Sequence, residues 1–251
     1  ATRAEAGLYH VGYVFGTGVK FFLSPFELAW SPFVYSLLGQ KDAPRTIARL
    51  ATYATAVLFA LGLVLAVLAR EILTFMTHPR FHEAHPVIPV VALAYVLQGL
   101  FIFTSIGIGI SKKAYYYPIL SFSAAAVNVG LNFLLIPRLG MMGAAWSTVA
   151  GYGLMAGLGI TFSQRHYPIP FEWRRIGLLG LAGALAYGAS LAAPPAGGGA
   201  LAVKMLTLSL FPASLYVLGF FRREEITRLR GLLSSAPLPV DGGSPPEHPP
   251  H

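Results

Sequence analysis

Cysteine is absent from the 251 residues, which excludes a disulfide framework, a thiolate nucleophile and a thiolate metal site. Charge is scarce as well. Asp, Glu, Lys and Arg make up 11% of the chain, against roughly 25% in an ordinary soluble domain. No Gly-rich loop ends in Lys-Ser or Lys-Thr, so ATP hydrolysis has no phosphate cradle. No HExxH pattern and no serine nucleophile elbow occurs. The chain begins with Ala, and no charged segment, apolar core and cleavage site combine into a signal peptide, so a fragment of a longer protein is expected.

What fills the sequence is hydrocarbon. Apolar residues account for 55% of it, and the mean hydropathy is +0.62. An all-α integral membrane protein is the expected class. The formal net charge of +8 does not point to nucleic acid, because the basic residues fall at the ends of apolar runs rather than on one solvated face.

About 20 apolar residues cross a bilayer as a helix. Seven runs meet that requirement, at about 8–38, 47–76, 86–111, 115–137, 141–163, 174–193 and 201–221. The first two exceed it, so tilt or a kink must absorb the excess, and Pro25 and Pro32 predict a kink in the first. Between the fourth and fifth, Pro137, Gly140 and Gly143 predict a tight helical hairpin. Beyond residue 222, Arg and Leu suggest an amphipathic segment on the inner membrane surface, followed by a proline-rich disordered tail through residue 251.

Loop charge predicts orientation. Of 18 Lys and Arg, 12 fall in the loops after spans one, three and five and in the tail, 4 on the other side, and Lys20 and Lys204 within spans. Cytoplasmic loops carry the Lys/Arg excess, which places the carboxy terminus inside and residue 1 outside. An odd number of spans with an external start predicts an odd number of helices upstream.

Several segments carry a resemblance. Gly7-Leu8-Tyr9 opens a long helix, Ala29-Trp30-Ser31-Pro32-Phe33 stands near its end, Phe81-His82-Glu83-Ala84 precedes an apolar helix, and the stretch 128–145 forms the hairpin. In order and spacing they resemble the carboxy-terminal half of bacterial O-antigen and exopolysaccharide flippases, of the multidrug/oligosaccharidyl-lipid/polysaccharide exporter superfamily. The similarity runs from about residue 7 to 163. It implies a two-lobe transporter in the bacterial inner membrane. Residues 1–163 would supply most of the second lobe, residues 164–221 two peripheral spans, and residues 222–251 a cytoplasmic end. The implied partners are a lipid-linked oligosaccharide, membrane lipids, the missing amino-terminal lobe and polysaccharide polymerase or assembly proteins, with no cofactor and no enzymatic step. A peptidoglycan-precursor flippase and a cation-coupled drug exporter share the superfamily. A membrane-embedded glycosyltransferase or a noncatalytic assembly subunit is the alternative from another class.

The first run also carries a functional pattern of its own. Tyr13, Lys20 and Glu27 recur every seven residues, hence on one side of a helix. A lysine at the bilayer centre costs on the order of 2.5–3.5 kcal/mol, so it faces a wet cavity or a partner charge. In a cavity, Lys20 would meet an anionic group such as a lipid diphosphate, with Glu27 tuning it; otherwise the two are structural. Asn128 and Asn132, four apart, either line the cavity or bond between helices, the commoner use of Asn in membranes; Gln98 shares that ambiguity. Tyr115, Tyr116 and Tyr117 after Lys112-Lys113 read as an interfacial anchor, with sugar stacking as the alternative. Gly153 and Gly157 predict close helix contact. Arg70 and Glu71 read as interfacial, with a cavity role as the alternative, and His78, His82 and His85 as an outer loop, because Pro79 and Pro86 break the helix that metal binding on one face needs.

Overall fold

The computed structural model describes residues 3–192 and 198–221, and every regular element within them is a helix. The amphipathic segment and tail expected from residue 222 lie outside the described residues. In chain order the helices are α1 (Arg3–Gly16), α2 (Val19–Leu37), α3 (Ala43–Val67), α4 (Ala69–Met76), α5 (Val87–Thr104), α6 (Ile106–Ile110), α7 (Tyr116–Leu139), α8 (Met141–His166), α9 (Trp173–Ser190) and α10 (Gly198–Val217). A short 3-10 turn, Pro79–Ala84, separates α4 from α5.

Four segments are long and apolar enough to cross a membrane: Ala43–Val67, Val87–Ile110, Tyr116–Leu139 and Gly199–Val217. They match the second, third, fourth and seventh expected runs. The other three are helical but less apolar or divided. α8 has the length, yet Gly, Ala, Ser and Thr dilute its hydropathy. α9 opens on Arg174 and Arg175.

The first run is divided at a place other than its prolines. Pro25 and Pro32 both lie inside α2, and the chain breaks earlier, at Thr17-Gly18. There the Thr17 hydroxyl donates back to the Val14 carbonyl at 2.6 Å, and the Lys20 amide reaches the Thr17 carbonyl at 2.7 Å in a tightened turn. Glycines on both sides of Thr17 loosen the helix, and the threonine hydroxyl competes for a backbone acceptor, which accounts for a break at this point. The expected hairpin is tighter than predicted. Pro137 belongs to α7, and Gly140 alone makes the turn, at φ 55° and ψ −133°, which only glycine adopts without strain.

The helices form a row in which each packs on the next: α7, α8, α5, α3, α9, α10. α1 lies against α5 and touches α8 and α3, while α2 rests on α3 and α5. The main core joins Val19, Leu23, Trp30 and Val34 of α2 to Ile47 and Leu58 of α3 and to Val91 and Phe103 of α5. A second core ties α9 and α10 to α3 through Leu63, Leu179, Phe211 and Phe220. α7, at the end of the row, leaves Phe122 and Phe133 more than three-quarters exposed.

Close helix contact uses different glycines from the expected pair. Nothing lies within 4 Å of a Cβ placed on Gly157, and Gly153 has only an ordinary contact. Gly12 and Gly16 on α1 instead meet Val87 and Val91 on α5, where an added Cβ would stand 2.7 and 2.6 Å from the valine Cβ atoms. Two positions four apart on each helix interlock, so α1 approaches α5 at backbone range. Gly12→Val is therefore expected to destabilise the protein by about 1–3 kcal/mol. Thermal unfolding in detergent checks this, with Gly157→Val nearly unchanged.

Candidate functional site

Lys20 lies midway between Arg3 and Leu37, one turn after the Thr17-Gly18 break. On α2 the buried row Val19, Leu23, Trp30 and Val34 faces α3 and α5. Lys20, Ser24, Glu27 and Ser31 follow at spacings of four, three and four, so they form a polar stripe beside that row. Lys20 and Glu27 are both exposed. Among the described residues neither makes a hydrogen bond or ion pair. They are ~10.5 Å apart along the helix and do not pair with each other. Tyr35, four residues past Ser31, shows which way the stripe is turned. A Cβ on Gly109 of α6 would lie 2.9 Å from its hydroxyl and 3.5 Å from that of Tyr117 on α7. The stripe thus flanks the α7 side of the bundle rather than α3.

Tyr13 is separated from that stripe by the helix break, so the three-residue face expected of a continuous helix is two pieces. Its hydroxyl lies 2.9 Å from that of Tyr95 on α5. Tyr9 and Tyr13 rings sit 5.7 Å apart, Tyr13 and Tyr95 6.4 Å, and Tyr95 and Tyr152 of α8 5.9 Å. Four tyrosines thereby knit α1, α5 and α8. Tyr95 and Tyr152 were missed from sequence; the available signal was a phenol in the middle of an otherwise apolar helix. Gln98, three residues from Tyr95, keeps its Oε1 buried without a hydrogen-bond partner.

Asn128 and Asn132 come together as the spacing predicts. Asn132 Nδ2 donates to Asn128 Oδ1 at 3.2 Å, and Asn128 Nδ2 to Thr148 Oγ1 of α8 at 3.5 Å. Thr148 in turn neighbours Tyr9. One polar band thus crosses α7, α8, α1 and α5, with the asparagines at one end and Tyr95 and Tyr152 at the other. Asn132 Oδ1 is buried with no hydrogen-bond partner among the described residues. Its side chain borders a cleft of about 280 Å³ with Phe133 and Pro137.

Two charged clusters elsewhere are tied down. Arg175, 8% exposed, donates to Glu172 at 2.7 Å and to the Tyr53 hydroxyl at 3.2 Å, with its guanidinium 4.4 Å from the Phe220 ring centre. This cage fixes α9 to α3 and to the end of α10. Arg175→Lys loses the planar fork and is expected to cost about 1–2 kcal/mol, read as a lower unfolding temperature. Lys204 of α10 binds Glu71 of α4 at 2.6 Å, so Glu71 is an interhelical ion-pair partner rather than a purely interfacial residue.

The tyrosine triplet divides its roles. Tyr115 is 59% exposed, Tyr116 stacks on Phe162 at 4.6 Å, and the Tyr117 hydroxyl donates to the Ser105 carbonyl at 3.3 Å. Only Tyr115 has the exposure of an interfacial anchor. The histidines lie in and around the 3-10 turn, where His78 Nδ1 accepts from the Arg80 amide, and His82 and His85 contact the Thr77 and His82 carbonyls. Among the described residues no three His, Asp or Glu gather as a metal-ligand group.

No protein-family model matches the chain, and no curated protein or solved structure matches it.

Proposed function

We propose that this chain is the carboxy-terminal lobe of a bacterial inner-membrane flippase, which moves a lipid-linked oligosaccharide or polysaccharide precursor by alternating access. The supporting observation is Lys20: an exposed ammonium with no partner among the described residues, beside a break in the middle of an apolar helical run. Broken helices near the bilayer midplane are where transporters bind charged substrates, because irregular backbone is tolerated there only beside a cavity.

In this reading a substrate diphosphate meets Lys20, Glu27 limits the net charge of the stripe, and saccharide hydroxyls exchange hydrogen bonds with Tyr13, Asn128 and Asn132. The amino-terminal lobe closes the cavity, and the lipid tail stays in the bilayer. No bond is made or broken. An ion gradient or the membrane potential drives the cycle, the latter worth about 2.3 kcal/mol per charge per 100 mV. The carboxy terminus faces the cytoplasm, and polymerase or assembly proteins use the exported precursor on the opposite face of the membrane.

Deleting the gene tests the reading. Lipid-linked saccharide is expected to accumulate on the cytoplasmic side of the membrane while surface polysaccharide falls. Unchanged surface polysaccharide and no accumulation contradict it.

A further inference from the structure

We propose that the cleft between α2 and α3 holds an anionic phospholipid, with an acyl chain in the cleft and the phosphate at its basic mouth. The cleft has a volume of about 410 Å³ and is lined by Phe26, Trp30 and Phe33 from α2 and by Leu50, Tyr53 and Val57 from α3. That size suits part of a ligand with a long apolar chain. Phe26 and Phe33 lie seven residues apart, across the buried row from the Lys20 stripe, so this is a separate surface. α3 is apolar enough to span a bilayer, which puts the cleft against hydrocarbon.

Charge distinguishes this cleft from a plain greasy groove. α2 ends at Leu37 and α3 begins at Ala43, so the connection between them closes one end of the cleft. Lys41, Arg45 and Arg49 stand at that end, all exposed. Arg49 immediately precedes Leu50 of the lining, and Arg45 is one turn, ~6 Å, before it. One acid opposes them. Asp42 lies 4.0 Å from Arg45, with both side chains about 80% exposed, and such a pair holds little free energy. The mouth therefore keeps a positive excess, and basic residues at a membrane surface attract anionic headgroups.

Hydrocarbon trough and basic mouth thus match two parts of one molecule, the acyl chain and the anionic headgroup.

The test places the full chain in phosphatidylcholine vesicles, with Trp146→Phe and Trp173→Phe leaving Trp30 as the sole tryptophan. Phosphatidylglycerol with brominated acyl chains is expected to quench Trp30 at about fivefold lower mole fraction than equally brominated phosphatidylcholine. Replacing Lys41, Arg45 and Arg49 with Gln, all at exposed positions, should remove the preference while leaving quenching by both lipids. Ala29→Phe, filling the cleft from its exposed edge, should weaken quenching by both. Equal quenching by the two lipids overturns the proposal. So does absence of quenching by either, the result if another protein segment or a second copy fills the cleft, and so does quenching that Ala29→Phe leaves unchanged. None of these outcomes depends on transport.

Discussion

Glu71→Ala is expected to destabilise the protein by about 3 kcal/mol, because it strands the Lys204 ammonium where its partner stood. The two charges are 2.6 Å apart, and the Lys204 side chain is 11% exposed. Breaking a buried pair from one side costs about 3–5 kcal/mol, and the lower end applies because the Glu71 side chain keeps 31% exposure. The same physics predicts that Glu71→Leu combined with Lys204→Met recovers most of the loss, since no charge is then left without a partner. Thermal unfolding of the single and double variants in detergent checks both statements. Equal destabilisation in single and double variants would assign the effect to packing instead of charge.

In the proposed flippase, Lys20→Ala is expected to slow transport about 30-fold or more while leaving the unfolding temperature nearly unchanged. The magnitude follows from removing one side of a desolvated charge contact, at least about 2 kcal/mol, from the pathway of the substrate. The separation of readouts follows from the structure: Lys20 is exposed and has no acidic partner among the described residues. Lys20→Arg keeps the charge and should retain transport within about threefold, because a point charge, not a bidentate geometry, is what the site supplies. A structural lysine would give the opposite pattern, lower stability and a transport loss that merely follows the amount of protein.

Helical runs and their order were legible because apolar length is a property of each segment alone. The expected boundaries near 115–137 and 141–163 fall close to α7 and α8. The breaks at Thr17-Gly18, Leu68 and Ser105 were not legible, since each lies inside a run that stays apolar on both sides. Pro25 and Pro32 lie within one continuous helix, α2, so they do not mark where the run divides. The break also explains why a strict seven-residue repeat failed to keep Tyr13 with Lys20 and Glu27.

Contacts between distant segments were the least visible. The pairing of Lys204 with Glu71 spans 133 residues, and that of Tyr13 with Tyr95 spans 82. No local spacing encodes either. Asn128 and Asn132 were readable because their hydrogen bond lies within one helix turn. The interlocked glycines had a sequence signature, four-residue spacing at Gly12 and Gly16, but the same spacing at Gly153 and Gly157 meets little. Spacing marks a surface that permits contact; the partner helix decides whether contact occurs.

The central claim is that the Lys20 stripe lies on the path of an anionic lipid-linked headgroup. The most direct measurement reconstitutes the proposed two-lobe flippase in vesicles with a fluorescent lipid-diphosphate saccharide and follows how much label a membrane-impermeant quencher reaches over time. The account predicts headgroup movement across the bilayer with the wild-type protein and an about 30-fold slower rate with Lys20→Ala at equal reconstitution. Movement at the same rate in both proteins, or none in either, would contradict it.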